Sequence, residues 1–299
     1  MSASSATLME KVGKARRKAG ERAAAVMEVV SVLQLPLWAE RERGLPNALA
    51  RSALFTAANR SIARGQYKHH KIAALKGIEI FYSGEELRQD DEDVFLQIVH
   101  LARQQPLGEV VEFSGYSLLK ELGWPTSMAS YQRLRDCINR LSTTTMTVKV
   151  DTPEAGRTEK GFGGSLIRKF AWETDAARGS SQRWQVWLER EIIYLFDNNT
   201  FTRIDWEQRL RLPPLAKWLH QFYFTHADPF GMKVETIRGL CGSRIAVLSK
   251  FRYKLKEALD LLVEAAFLLS YNIDSRTDLL SVKRAPKRLG QTIEVERRA

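Results

Sequence analysis

One pattern occurs twice in this chain and limits what it can fold into. A short helix signal, Tyr116 to Leu122, leads through the turn GWPTS into a helix from Met128 to Ser142. Tyr131, Leu134, Ile138 and Leu141 follow there at the 3, 4, 3 spacing of one apolar helix face. Farther on, a Pro-started helix from Pro213 to His226 and the loop HADPFG precede a second short helix, Val234 to Cys241, the loop GSR and a longer helix from Ile245 to about Ala266. At a constant shift of 121, Leu134, Ile138 and Leu141 fall on Leu255, Leu259 and Leu262. Strand-like runs follow each helix pair: TTTMTVKV, GGSLIRKFAWE and SQRWQVWLE in the first copy, FLLSYNI and LLSVKRA around DSRTD in the second. Helix, turn, helix and then hairpin is the plan of a winged helix, and its recurrence reads as an internal duplication.

The fold class is therefore α+β, two tandem winged-helix domains preceded by a flexible basic N-terminal arm. A length of 299 residues suits two domains. The boundaries fall at 1–44 for the arm, 45–198 for the first winged-helix domain and 199–299 for the second. Residues 1 to 22 hold almost no large apolar group to offset their ordering entropy, and a helix-like stretch from Ala23 ends at Pro36. PNALARSALF reads as a helix opened by Pro46, and GIEIFYSG, residues 77–84, as a strand with alternating Ile78, Ile80 and Tyr82. The acidic run that begins at Asp90 reads as the first turn of an amphipathic helix reaching Gln105, where carboxylates meet the positive end of the helix dipole.

Composition narrows the function. Lys and Arg number 46 against 35 Asp and Glu, a formal net charge of +11, which favours a polyanionic partner. Two cysteines, Cys137 and Cys241, exclude a disulfide framework and a thiolate-rich zinc site, and read as packing residues in a reducing, cytoplasmic protein. The most apolar stretch, Ala23 to Ala39, is broken by Glu28, Gln34 and Pro36, so neither a membrane span nor a secretion signal is expected. The GxxxxGK[ST] loop of P-loop ATPases is absent. His69-His70 beside Lys68 and Lys71 reads as basic surface rather than a metal-dependent nicking site, and His220 and His226 as core or rim residues. No cofactor, metal or catalytic residue is expected, and the chain reads as a binding protein rather than an enzyme.

In a helix-turn-helix the second helix enters the major groove, where Arg, Lys, Asn and Gln read base edges and basic neighbours hold phosphates. In the first copy the candidate DNA contacts are Ser130, Gln132, Arg133 and Arg140. In the second they are Ser243 and Arg244 at the helix entrance, and Lys250, Tyr253 and Lys254 away from the apolar stripe. The loops carrying Arg157 and Lys160, and Arg276, are candidate wings on phosphate or the minor groove; ordinary exposed hairpins are the alternative. Gln34-Leu35-Pro36-Leu37-Trp38 places an amide and three apolar side chains on an extended, accessible peptide suited to a partner's groove; a helix-terminating turn packed on the body is the alternative. The pentapeptide resembles the bacterial sliding-clamp-binding motif Gln-Leu-Ser/Asp-Leu-Phe, with Gln34, Leu35, Leu37 and Trp38 as its anchors, Pro standing for Ser/Asp and Trp for Phe.

Beyond these patterns, the blocks LPNALARSALF, GIEIFYSGEELRQDDEDVFLQIVHLARQ, GYSLLKELGWPTS and YQRLRDCINRLS resemble the TrfA-type plasmid replication initiators, a similarity extending from about residue 30 to the C-terminus. The resemblance implies a plasmid-encoded bacterial cytoplasmic protein whose tandem winged helices bind direct repeats (iterons) in double-stranded origin DNA. It implies further that the protein helps open an adjacent AT-rich region, with single-stranded origin DNA a further ligand, and that it recruits the host replicative helicase and sliding clamp. A monomer and dimer balance linked to plasmid copy control also follows. The competing readings are a dimeric winged-helix transcriptional repressor and, from another class, a rolling-circle nicking enzyme.

Overall fold

The computed structural model describes residues 33–151, 159–175, 181–196 and 200–286. Its helices are α1 (Asn47–Ala50), α2 (Gln89–Ala102), α3 (Gly115–Glu121), α4 (Met128–Thr143), α5 (Trp206–Leu210), α6 (Pro214–Phe224), α7 (Val234–Leu240) and α8 (Leu248–Glu264). Arg190–Leu195 forms two turns of 3-10 helix. The strands are β1 (Glu42–Pro46), β2 (Phe55–Thr56), β3 (Gln66–Ile72), β4 (Ile78–Glu85), β5 (Leu87–Arg88), β6 (Val111–Ser114) and β7 (Thr145–Asp151). They continue with β8 (Glu159–Gly164), β9 (Lys169–Asp175), β10 (Ser181–Trp187), β11 (Phe201–Asp205), β12 (Met232–Lys233), β13 (Leu268–Ile273) and β14 (Leu279–Arg284).

The duplication is visible in the topology. α2, β6, α3, α4 and the hairpin β9–β10 are matched in order by α6, β12, α7, α8 and the hairpin β13–β14. Both copies make a three-stranded sheet with the second hairpin strand in the middle, β6-β10-β9 and β12-β14-β13. The buried positions of α4, Leu134, Cys137, Ile138 and Leu141, fall at a shift of 121 on buried Leu255, Ala258, Leu259 and Leu262 of α8. The short helices also end alike: Gly123 follows the C-cap of α3 at φ +65° and Gly242 follows that of α7 at φ +62°. Glycine takes this left-handed turn without steric cost. At Gly242 a Cβ would also stand 2.6 Å from Thr56 Cγ2.

Capping explains several boundaries. The Ser114 and Ser127 hydroxyls accept the Ser117 and Ser130 amides at 3.0 and 3.3 Å, and Asp205 accepts Gln208 N at 2.9 Å. The segment opened by Pro46 departs from expectation, because α1 lasts four residues. Ser52 Oγ donates to Leu49 O and accepts Leu54 N, and these side-chain bonds compete with helix continuation. Four strands follow α4 where three were expected. β7 and β8 leave the duplicated plan and join β4 and β3 in a sheet ordered β3-β4-β7-β8.

Residues 42–57, which precede the first copy, are tied to the second half of the chain. β1, which straddles the expected end of the arm at residue 44, pairs antiparallel with β11. Ala57 N donates to Cys241 O at 2.8 Å, and Trp218 Nε1 to Ser52 O at 3.0 Å. Arg51 Nε donates to Thr225 Oγ1 at 2.8 Å. Cys137 and Cys241 are both buried and free. No described helix is long and apolar enough to cross a membrane.

Candidate nucleic-acid interface

The geometry of the interface is set from behind by α2. Its first turn carries Asp90, Asp91, Glu92 and Asp93, all buried. The helix begins where the sequence placed it, but these carboxylates do more than meet the dipole. Asp90 and Asp91 face the first copy. Arg64 reaches them at 3.2 and 2.6 Å, Arg140 holds Asp91 at 2.9 Å, and Arg133 holds Asp90 at 3.3 Å. Glu92 and Asp93 face the second copy. Arg209 reaches them at 3.0 and 2.8 Å, and Lys217 also pairs with Asp93. Burial pushes Glu92 up to about 7 and raises Asp91 too, while Asp91 holds the Arg140 guanidinium more firmly protonated despite the opposing effect of burial.

This network engages two of the expected DNA contacts within the chain. Arg133 lies 3.4 Å over the ring centre of Trp124 as it reaches Asp90, and Arg140 is spent on Asp91. Both flank the apolar stripe of α4, so at 100° per residue they lean toward α2 rather than outward. The face of α4 turned to solvent is instead the line Met128, Gln132 and Asn139, with Met128 81% exposed, partly buried Arg135 at one edge and exposed Asp136 at the other. At a shift of 121 this stripe becomes Ser249, Tyr253, Lys256 and Asp260 on α8, all exposed, with Tyr253 at 62%. Arg135, Asn139 and Lys256 were not among the expected contacts, although the 4, 3, 4 spacing opposite the leucines was available in the sequence.

The remaining candidates differ in their surroundings. Gln132, Lys250, Tyr253 and Lys254 are exposed as expected; Gln132 Nε2 donates to Asp136 at 2.8 Å and Lys254 pairs with Glu257 at 2.8 Å. Arg276 is exposed in the β13–β14 turn, where Asp274 accepts its backbone amide at 3.1 Å. Ser130 and Ser243 are half-buried at helix entrances; Ser130 is held by the Ser127 cap and the Ser243 hydroxyl accepts Ile245 N at 3.3 Å. Arg244 is exposed at the helix entrance and is engaged within the chain. It donates to Glu86 at 2.6 Å and to Ala63 O at 2.9 Å, joining the second copy to the first. Arg157 and the Lys160 side chain lie outside the described residues. β8, which carries Lys160, belongs to the four-stranded sheet, so the loop before it is not the counterpart of the Arg276 turn; the β9–β10 hairpin is.

The pentapeptide is seated on the body. Leu35 and Trp38 are buried, and Leu37 is 64% exposed. Trp38 stacks on Phe196 with centroids 6.1 Å apart, its Nε1 donates to His100 Nδ1 at 2.9 Å, and Gln34 Nε2 donates to Arg103 O at 3.2 Å. Burial and nearby Arg43 keep His100 neutral, down to about 4, as an acceptor must be. The expectation of an accessible peptide is thus corrected: two of its anchors already fill a groove in their own chain. Asp90, Asp91 and Cys137 bring donor atoms within 4.8 Å of one another, but arginines occupy those carboxylates. His69 and His70 are exposed on β3, His69 stacked on Phe81, and His220 is buried.

Comparison with known proteins agrees with this architecture. Residues 3–284 match the family model described as TrfA protein. The plasmid replication initiator protein TrfA of Escherichia coli is 33% identical over 233 residues, covering 77% of this chain and 59% of that relative. Two solved structures of domains 2 and 3 of RctB share the fold. One, of selenomethionine derivatives, has a TM-score of 0.54 at 13% identity and covers 81% of this chain and 99% of its own. The other has a TM-score of 0.51 at 12% identity, covering 80% and 97%. With its family model matched from near the first residue through the second hairpin, the chain belongs to the TrfA family.

Proposed function

We propose that this protein is a plasmid replication initiator that binds directly repeated origin duplexes through two winged-helix units, without enzymatic activity, and acts by deforming DNA and recruiting host factors. The observation that carries the reading is the pair of outward stripes, Gln132 and Asn139 with Arg135 at their edge, and Tyr253-Lys256-Asp260, on equivalent helices of one duplicated plan. A helix that follows a helix and a turn, and precedes a hairpin, presents such a face to the major groove. Arg276 at the tip of the second hairpin is then a wing contact to phosphate. Recruitment of helicase and sliding clamp, and self-association, extend this reading by family likeness. A clamp contact through Gln34, Leu35, Leu37 and Trp38 would require the pentapeptide strap, residues 34–38, to leave the body, because Leu35 and Trp38 are buried.

Footprinting of the whole protein on its plasmid origin is the test. Protection of each direct repeat over about two helical turns, near 20 base pairs, supports the tandem reader. Protection of a single inverted repeat would favour the repressor instead, and strand cleavage of supercoiled origin DNA with Mg²⁺ would overturn the non-enzymatic reading.

A further inference from the structure

The three arginines of α4 end in different places. Arg133 and Arg140 are neutralised by the acids of α2. Arg135 pairs with no carboxylate among the described residues; its guanidinium lies 5.0 Å from the ring centre of Trp172 on β9. Trp172 is 47% exposed, an unusual place for an indole unless its face is used. The ring is braced from behind, stacked on Phe170 at 5.7 Å and tilted against fully buried Trp184 at 5.8 Å. A guanidinium over an indole is held by its face and keeps the N–H fork in its own plane free to donate.

We propose that Arg135, backed by Trp172, is a guanine-recognition site of the first unit, its fork donating to O6 and N7 of one guanine in the major groove. This rests on the DNA-reading role of α4 proposed above. Bidentate donation to guanine is the commonest specific contact of arginine, and it gains from a fork already fixed in plane and angle. Gln132, one turn earlier on the same stripe, would contact the neighbouring base pair. The second unit is built differently. Lys256 at the equivalent position carries a compact ammonium that cannot donate as a planar fork, and no described ring lies under it. Strict guanine selection therefore belongs to the first half of the repeat.

The experiment measures binding of the whole protein to a labelled duplex carrying the plasmid's own origin repeat and to the full set of its single base-pair substitutions. Arg135→Ala should weaken the parent repeat roughly 5- to 150-fold and abolish discrimination at one G·C pair while leaving it intact elsewhere. Arg135→Lys should lose the same discrimination although it keeps the charge. Trp172→Ala should flatten that same pair, Trp172→Phe should restore part of it, and Trp172→Ala should add nothing to Arg135→Ala. Should Trp172→Ala fail to fold, Trp172→Phe and Arg135→Lys decide the matter through the same profile. Uniform weakening across all duplexes would make Arg135 a phosphate contact and overturn the proposal, as would unchanged discrimination. If Arg135→Ala is silent while Gln132→Ala or Lys256→Ala weakens binding, the guanine site is wrong and the reading helices stand. If all three are silent, the DNA-reading role itself falls.

Discussion

Arg209 spends its guanidinium without leaving the protein. It is fully buried and donates to Asp93, Glu92, Gln89 and Gln221 at 2.6 to 3.1 Å. Removing one partner of such a cluster strands the others in a dry interior, so Arg209→Ala should destabilise the protein by about 3–5 kcal/mol, read as a lower midpoint in urea unfolding. Replacement of Arg209, Glu92 and Asp93 together by apolar residues of similar volume should cost far less. A midpoint unchanged by Arg209→Ala would mean that the cluster is dispensable. His220 contributes at another pH. Burial, with Arg209 and Arg284 nearby, pushes its imidazole down to about 3, while the unfolded chain titrates near 6.5. A depressed folded value means that the unfolded state binds the extra proton, so this stability is present above pH 6.5 and drains away as pH falls toward 3. Between pH 6.5 and 5 the loss should approach roughly 2 kcal/mol, at about 1.4 kcal/mol per pH unit. His220→Phe should show a shallower acid limb in stability against pH; parallel limbs would exclude His220 as a contributor.

At the scale of elements, the duplicated plan was legible because apolar spacing reports burial directly. Leu134, Ile138 and Leu141, and their counterparts 121 residues on, are buried as the spacing requires; the starts of α3 and α4 follow from the Ser114 and Ser127 caps, and the ends of α3 and α7 from Gly123 and Gly242. What the pattern could not reveal was which polar face of α4 turns outward. That depends on α2, whose four acids read equally well as dipole chemistry and as buried partners for Arg64, Arg133, Arg140, Arg209 and Lys217. Only the packing of α2 between the copies decides it. The same limit hid the strap, since nothing local to Gln34–Trp38 says that Phe196 and Phe201 wait to receive Trp38. An element-scale prediction follows from the outward stripes. Gln132→Ala on α4 and Lys256→Ala on α8 should weaken different halves of one origin repeat, because the proposed tandem reader gives each helix its own turn of groove. Base-by-base substitution of the repeat against each variant measures this, and perturbation of the same half by both would contradict two separate readers.

For the whole molecule, the ties between the copies turn two modules into one ruler. Glu86, itself buried, accepts Thr56 at 2.7 Å and the Gly65 amide at 3.0 Å from the first copy and Arg244 at 2.6 Å from the second. β1 with β11, and Arg209 with α2, add connections elsewhere along the junction. Units joined by a slack linker would tolerate changes in spacing between half-sites, since each could settle on its own groove at a modest entropic cost. Units fixed in phase should not. Inserting five base pairs, about half a helical turn, between the halves of one repeat turns the second half to the opposite side of the duplex, and affinity should then fall to that of a single half-site. Inserting ten restores the face but adds a full turn of distance, so binding should remain weak. Gel-shift titration of the three duplexes distinguishes the cases. Comparable affinity for the parent and the ten-base-pair insertion would mean that the copies separate on DNA. In that event Arg244→Ala, which loosens the tie to Glu86, should leave the spacing profile unchanged; with a rigid ruler it should broaden it.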